Sequence, residues 1–296
     1  MSNQPRSWHS RRAMRLRFVP LLALACAPAR SDTPAPAPAP VAAAAPASPT
    51  PQAEPLRITY LANEGVLLTA GGESVLIDGL HRPYEPDYAV LDEADREAVE
   101  RATGVFASVR LVLVSHRHRD HFDAEAVRLH LEHNPHARLV AAPQVTDPVL
   151  AGIRDDAVRA RVESVAYAPG AEHTRTVGKF TVTFLGLPHG TGRHRDIENF
   201  GHLVESAGQR VIHVGDAELA DPEYLRFDLP RRRIDLAVLP YWYFLTKDDS
   251  AATRRLFGAS RYYGVHIPPN DPDARMKLRQ AAPDVTPLTR MLDELR

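Results

Sequence analysis

The sequence is poor in cysteine, with a single residue of this type, Cys26, among 296 residues. An intramolecular disulfide is therefore excluded, and a metal site would have to use histidine and carboxylate ligands. The sequence also lacks an excess of charge of either sign, since 36 Lys and Arg residues nearly balance 37 Asp and Glu residues. This balance gives no electrostatic reason to expect a nucleic acid or an anionic membrane surface as a partner.

A long apolar run is missing near the N-terminus, because the apolar segment of residues 18–27 is too short to span a bilayer as a helix. It follows a segment, residues 1–17, that is rich in arginine and contains no acid. A basic segment, an apolar segment and small residues, in this order, are typical of an export signal. We therefore expect residues 1–27 to be a leader and the protein to be exported.

Residues 22–26, Leu-Ala-Leu-Ala-Cys, resemble a bacterial lipoprotein signal. The resemblance implies that Cys26 is lipidated, that the protein is periplasmic or anchored to the membrane, and that this lipid is its only link to a membrane. Met1 and Met14 are both candidate start residues. A basic tail with a chance apolar patch is the alternative interpretation.

Residues 28–54 consist mostly of Pro and Ala. Such a segment favours a semi-rigid polyproline II spacer and cannot bury a core. We therefore predict a linker at 28–54 and one folded domain at 55–296. Hydrophobic residues make up 44% of the chain, which is enough for a buried core in that domain.

Strands and helices alternate along the predicted domain in a way that favours a layered α/β architecture, with two sheets faced by helices. Apolar runs and alternating patterns predict strands at 56–61, 65–70, 74–78, 109–114, 138–142, 162–165, 174–177, 180–185, 201–205, 210–214, 234–239 and 262–266. Helices are expected at 91–103, from the cap residue Asp123 to His133, and at 145–155, 249–257, 273–281 and 288–295.

Four potential metal ligands fall within six positions directly after the predicted strand 109–114. They are His116, His118, Asp120 and His121. His116 and His118 share a face of an extended chain, and the other two follow a turn and can reach a neighbouring point. Imidazole and carboxylate ligands suit Zn²⁺, and a catalytic zinc ion needs an open position. The remaining ligands must therefore come from elsewhere in the chain.

The pattern His-x-His-x-Asp-His after a hydrophobic strand resembles the metallo-β-lactamase superfamily, and the resemblance extends over residues 56–270. It implies a four-layer αββα sandwich of two mixed β-sheets flanked by helices. Within the superfamily, the chain looks most like the ascorbate-6-phosphate lactonase-like branch. The cysteine ligand of the best-known β-lactamases is absent, and Asp216 stands at the bridging position instead.

The resemblance also implies three ligands outside the cluster, which are His189, Asp216 and His266. His194 and His202 are rivals of His189. We prefer His189 because it follows a predicted strand and precedes an Asn-x-Gly strand by about a dozen residues, as in the family pattern. His194 would then lie in a loop that faces substrate or solvent, and His202 would be structural.

The family pattern divides these ligands between two metal ions. One ion would lie on His116, His118 and His189, and the other on Asp120, His121 and His266, with Asp216 bridging. Asp78 resembles the acid that supports the site from behind the ligands in this family. Asp235 could hold a ligand histidine through the ring nitrogen that does not bind metal. For both aspartates, a turn or a solvated strand end is the alternative. His213 is expected to be packed or to support the ligands.

The implied function is that of a hydrolase with two Zn²⁺ ions, although iron or manganese would also suit the ligands. Two such ions share a water molecule, lower its pKa and yield the hydroxide that attacks an ester, lactone or phosphoester of a small molecule. Asp120 is the predicted catalytic residue, because it can orient the hydroxide and take part in proton transfer. The aromatic run 241–244, Lys247 and Arg193 could contact substrate, but packing or solvent exposure is the more common role of such residues.

Two other functions stay open. Iron bound by histidine and carboxylate, in a mononuclear or dinuclear site, could support redox chemistry on the same fold. A surface lipoprotein that uses the domain only for binding is the third hypothesis. The complete set of ligand positions argues against it.

Overall fold

The computed structural model describes residues 54–220 and 222–295. The predicted leader, Cys26 and all but the last residue of the predicted linker lie outside these ranges. In the described part, no helix is long and apolar enough to cross a membrane.

Strands form where the sequence runs apolar or alternates, and the Gly71-Gly72 turn joins the second and third strands with both residues at positive φ. In the described residues the strands are β1 (Arg57–Tyr60), β2 (Val66–Ala70), β3 (Glu73–Ile77), β4 (Val109–Leu113), β5 (Arg138–Ala141), β6 (Val162–Ser164), β7 (Glu172–Val177), β8 (Phe180–Gly186), β9 (Phe200–Ser206), β10 (Gln209–His213), β11 (Leu236–Pro240), β12 (Arg261–Val265), β13 (Thr286–Pro287) and β14 (Glu294–Leu295).

Five of the six α-helices in the described residues begin after a residue whose side chain caps the helix, and the helix Pro143–Gly152 is the exception. Asp123 precedes the helix Ala124–His133 as predicted, and its side chain accepts a hydrogen bond from the backbone N–H of Ala126 at 2.9 Å. The α-helices of the described part are α1 (Glu93–Glu100), α2 (Ala124–His133), α3 (Pro143–Gly152), α4 (Asp156–Arg159), α5 (Lys247–Phe257) and α6 (Pro272–Ala281).

The strands form two seven-stranded mixed sheets, with the orders β14-β1-β2-β3-β4-β5-β6 and β13-β12-β11-β10-β9-β8-β7. In the first sheet, β1 to β3 are antiparallel, whereas β3 to β6 are parallel. In the second sheet, β7 to β10 are antiparallel, whereas β10 to β13 are parallel. Loops that follow parallel strands leave each sheet at one edge, which is where such folds place binding residues.

Neighbouring residues of one strand pack into different layers. Leu68 of β2 packs between the sheets with Phe184 and Phe200, whereas the adjacent Leu67 lies in a second core on the outer side of the first sheet. Residues of α2 and α3 complete that outer core. A third core covers the outer side of the second sheet, where Phe257 of α5 lies. The result is the predicted four-layer αββα sandwich, and the predicted fold class is confirmed.

The helix predicted at 288–295 is wrong. This segment follows β13 and ends in β14, where Leu295 pairs with Ile58 of β1 in antiparallel register. The local leucine content favours a helix. However, the open edge of β1 offers unpaired backbone groups, and hydrogen bonding to them outweighs the helix propensity of the segment.

Candidate metal centre

The predicted ligand cluster follows β4 on a short turn. The backbone N–H groups of His121 and Phe122 both donate to the carbonyl oxygen of His118, at 3.0 and 2.9 Å. This turn lets the extended segment present His116 and His118 before the chain reverses and presents Asp120. His116 and His121 are fully buried.

The second sheet supplies the other three ligands from the loops after its strands. His189 follows β8, Asp216 follows β10, and His266 follows β12. His266 has a φ of 59°, in the left-handed region, and its backbone N–H donates to the carbonyl oxygen of Asn63 at 3.0 Å. This bond joins the end of β12 to the first sheet and fixes the unusual backbone conformation that turns the imidazole into the site.

The first cluster contains three imidazoles. The distance from His118 Nδ1 is 3.0 Å to His116 Nε2 and 3.1 Å to His189 Nε2. An oxygen of Asp216 completes this cluster, and its Oδ2 atom lies 3.5 Å from His189 Nε2. One donor atom from each of the four residues lies within 4.8 Å of all the others.

The second cluster shares Asp216 with the first. Asp120 Oδ2 lies 3.0 Å from His266 Nε2 and 3.3 Å from His121 Nε2, and Asp216 Oδ1 lies 3.4 Å from His121 Nε2. Asp216 therefore directs Oδ2 towards one cluster and Oδ1 towards the other. The structure thus brings all seven predicted ligands together in the predicted two groups.

Several donor atoms of the second cluster are buried without a hydrogen-bond partner among the described residues. They are His121 Nε2, His266 Nε2 and Asp216 Oδ1. Buried polar atoms are nearly always paired, and leaving them unpaired is costly. Imidazole nitrogens and carboxylate oxygens that converge without partners fit the ligand set of a divalent metal ion.

Asp78, at the end of β3, supports the second cluster from behind, in line with its predicted role. Its Oδ2 atom lies 2.9 Å from His121 Nδ1, and its carboxylate also accepts from the backbone N–H and the hydroxyl of Ser115, at 2.7 and 2.5 Å. Burial alone would raise the pKa of Asp78, but the bonds to His121 and Ser115 hold it below its usual value. Asp78 therefore fixes the ring so that Nε2 of His121 faces the cluster.

Asp235 does not hold a ligand histidine, and that prediction is wrong. It precedes β11, whereas the ligands follow strands, and its carboxylate accepts from the backbone N–H of Arg210 at 2.7 Å. Asp235 therefore pairs the beginnings of two adjacent parallel strands, β10 and β11.

Two residues of the site that were not predicted from the sequence, Asn63 and Glu64, lie in the turn before β2. The Asn63 side chain donates to the carbonyl oxygen of Asp120 at 3.1 Å and to its Oδ2 atom at 3.2 Å. Glu64 is 1% exposed and lies 3.5 Å from His213 Nε2, and burial and the nearby Asp216 raise its pKa well above its usual value. A polar pair before a glycine is typical of an exposed turn, so no local signal placed them beneath the site.

Three other histidines considered in the sequence analysis, His194, His202 and His213, lie in different surroundings. His202 lies in β9 and packs edge-on against Phe184, and burial lowers its pKa to about 3. His213 is buried in β10 and its Nε2 atom lies 2.9 Å from the carbonyl oxygen of Glu64. His194 stacks on His189, with 4.9 Å between ring centroids. Neither His194 nor His202 belongs to a ligand cluster of the described residues, so His189 is the residue brought to the site.

An open cavity of about 590 Å³ leads to the clusters. Its lining combines metal-cluster residues with tyrosine, arginine and His194. The lining residues are Tyr84, Tyr88, Arg117, His118, Arg119, Asp120, His189, Arg193, His194 and Asp216. Of the aromatic run 241–244, Tyr243 and Phe244 are buried in the core, whereas the Trp242 ring contacts His266 edge-on at 5.0 Å. Lys247 begins α5 and is not among the lining residues.

The two clusters differ in their electrostatics. Burial and the neighbouring His189 lower the pKa of His118 to about 4, and burial also lowers the pKa of His116. His121 behaves oppositely: burial opposes its charge, but the carboxylates of Asp120 and Asp216 raise its pKa well above its usual value. His116 and His118 of the first cluster are therefore neutral at neutral pH, whereas a metal ion entering the second cluster must displace a proton from His121.

The family model described as a beta-lactamase superfamily domain matches residues 76–267, which is more than half of the chain. The matched range contains all seven ligands of the two clusters. No curated protein is significantly similar to the chain in sequence.

Solved structures share the fold at low sequence identity. The metallo-β-lactamase fold protein YhfI from Bacillus subtilis is 14% identical, with a TM-score of 0.56 over 82% of this chain and 100% of that chain. An isothiocyanate hydrolase from Delia radicum gut bacteria is 14% identical, with a TM-score of 0.55 over 81% of this chain and 98% of that chain. CmlA, a diiron β-hydroxylase from Streptomyces venezuelae, is 14% identical, with a TM-score of 0.54 over 84% of this chain and 55% of that longer chain.

Replacing Asp78 by Asn should weaken metal binding at the second cluster by about 10- to 100-fold, because His121 loses its anionic partner. Competition with a chromophoric chelator measures this affinity. Asp235→Asn is the matched control and should leave the affinity unchanged, since Asp235 lies at the other end of its strand. Equal losses in both variants would contradict the role assigned to Asp78.

Lowering the pH should remove metal from the second cluster first. His121 regains its proton at a higher pH than His116 and His118, because its pKa is raised and theirs are lowered. Metal retained after equilibration between about pH 8 and about pH 5 should therefore fall in two steps. His266→Ala, which disables the second cluster, should show only the step at lower pH. Simultaneous loss of all metal from the unmodified chain would contradict this order.

Proposed function

Because the chain belongs to the metallo-β-lactamase superfamily, we propose that it uses two Zn²⁺ ions to hydrolyse an ester, lactone or phosphoester bond in a small molecule. The observation that carries the proposal is the convergence of seven histidine and aspartate side chains in two clusters that share Asp216. The lactone is favoured among the three bonds because the sequence resembles the ascorbate-6-phosphate lactonase-like branch.

The donor atoms support zinc as the metal. The first cluster offers three imidazoles and the second offers two, and both complete their sets with carboxylate oxygens. Three or four such ligands with room for a further one are typical of catalytic zinc. Two bound ions would lower the pKa of a water molecule and polarise the substrate oxygen.

The protein groups around the clusters have distinct tasks. Asp120 lines the cavity, and Asn63 fixes its carboxylate with a hydrogen bond of 3.2 Å. A fixed carboxylate at this position can hold the attacking water and receive its proton. Asp216 spans both clusters and sets their separation. The cavity beyond them admits a small molecule and leaves one side of each cluster open to it.

Iron redox chemistry is the second candidate. The same fold occurs in the diiron β-hydroxylase CmlA, and histidine with carboxylate is also a ligand set for iron. The hydrolase is favoured because the isothiocyanate hydrolase has the fold over 98% of its length, whereas CmlA has it over 55%. A purely binding role is disfavoured, because it gives no reason for seven histidine and aspartate side chains that converge in two clusters.

For the cellular location, we propose export and anchoring through a lipid on Cys26. This rests on the sequence of residues 1–54, in which a basic segment, an apolar segment and a Pro/Ala-rich spacer precede the domain. A spacer between a lipid anchor and a folded domain would hold the cavity away from the membrane surface.

Hydrolysis by the zinc-loaded chain is the test. A panel of lactones, aryl esters and phosphodiesters should include substrates that are cleaved without oxygen consumption. Asp120→Ala should lower kcat by about 100-fold or more, because it removes both a metal ligand and the candidate proton acceptor. Asp147→Ala, at an exposed position of α3, is the control and should retain full activity.

An oxygen-dependent reaction that appears only after iron loading, without hydrolysis by the zinc form, would replace the hydrolase with the redox alternative.

A further inference from the structure

We propose that the substrate carries a carboxylate or phosphate group away from the bond that is cleaved, and that Arg117, Arg119 and Arg193 bind this group. This inference rests on the proposed hydrolase and names the substrate class of the same site. It is carried by the composition of the cavity wall and by the state of the three guanidinium groups.

The cavity wall has more basic than acidic side chains. Among its ten residues, the three arginines face only two acids, Asp120 and Asp216, and both acids belong to the metal clusters. The chain as a whole is balanced, with 36 basic and 37 acidic residues. The positive wall is therefore a local feature, and two bound divalent cations would add to it. A cleft of one sign attracts ligands of the opposite sign.

The three arginines have no carboxylate partner among the described residues. Elsewhere, arginines commonly meet carboxylates, as Arg82 does with Glu100 and Arg232 with Glu172. In the described part of the chain, Arg117, Arg119 and Arg193 form no ion pair within 4.0 Å, whereas each lines the cavity. Their charges are available to a ligand.

Two of the arginines are held in place by neutral groups. The Arg119 guanidinium lies 4.6 Å from the centroid of the Tyr84 ring, and Tyr84 stacks on Tyr88. A guanidinium stacked by its face keeps the N–H donors at its edge free, and that edge matches the two oxygens of a carboxylate or phosphate. Arg193 donates from Nε to His194 Nε2 at 3.0 Å, so its two terminal nitrogens stay free.

The three arginines lie next to the metal clusters. Arg117 and Arg119 alternate with His116, His118 and Asp120 in one loop, so the loop that presents ligands also presents cations to the cavity. Arg193 is hydrogen-bonded to His194, which stacks on His189 of the first cluster. A group bound by these arginines therefore lies beside the reacting bond rather than on it.

The first test uses a pair of esters with the same scissile aryl acetate bond, the anionic 3-acetoxybenzoate and the neutral 3-acetoxybenzamide. The zinc-loaded chain should prefer the anionic ester in kcat/KM. The combined variant Arg117→Gln, Arg119→Gln, Arg193→Gln should lower the ratio of anionic to neutral kcat/KM by about tenfold or more. Arg279→Gln, an exposed and unpaired arginine of α6, is the matched control and should keep the ratio. An unchanged ratio in the combined variant would overturn the proposal.

A binding measurement separates this inference from the proposed function. Calorimetry on the zinc-loaded chain compares 3-hydroxybenzoate, 3-hydroxyphenylphosphonate and methyl 3-hydroxybenzoate. Tighter binding of either anion, lost in the combined variant, supports the arginine site even if no ester is hydrolysed. In that case only the hydrolase proposal fails. The anion that binds more tightly identifies the group as carboxylate or phosphate. An anion preference that persists without the three arginines would assign the anion to the metal ions and overturn the inference.

Discussion

The site depends on buried imidazole nitrogens and carboxylate oxygens that converge without hydrogen bonds to one another in the described part of the chain. His121 Nε2, His266 Nε2 and Asp216 Oδ1 have lost their contact with water and form no hydrogen bond in the described part of the chain. Burying such atoms is unfavourable unless something else binds them. A pair of divalent ions would satisfy them together, and the metal-dependent chemistry of the superfamily follows from this requirement.

The fold meets the requirement by bringing the ends of strands from two sheets together. Two backbone hydrogen bonds tie the sheets near the clusters, from Phe200 N–H to the Ser115 carbonyl oxygen at 2.9 Å and from His266 N–H to the Asn63 carbonyl oxygen at 3.0 Å. The core between the sheets, with Phe184 and Phe200, holds this edge together. Ligands on loops thus gain the rigidity of the scaffold behind them, which keeps the two clusters preformed.

The sequence predicts those parts of the site that carry a local pattern. Four of the seven ligands fall in one short segment after an apolar strand, and the alternating and apolar runs identify the strands and therefore the layers. His189, Asp216 and His266 are scattered over almost 80 residues, so they could be assigned only through the family resemblance. The choice of His189 over His194 and His202 then agreed with the geometry.

Residues whose role depends on long-range contacts could not be predicted. Nothing in the local sequence of Asn63 and Glu64 shows that a turn before β2 will be covered by the second sheet. Asp235 has the right type and a strand beside it, but it stands at the wrong end of that strand. The segment 288–295 has helical composition, yet the edge of β1 is available to it only once the first sheet has formed.

Elemental analysis of the chain, purified without chelator, tests the two-metal site most directly, with His116→Ala measured alongside. A two-zinc site predicts about two equivalents of zinc per chain and a sharp fall in the zinc content of the variant. A chain that contains no metal, or one equivalent of iron that His116→Ala does not change, would contradict it.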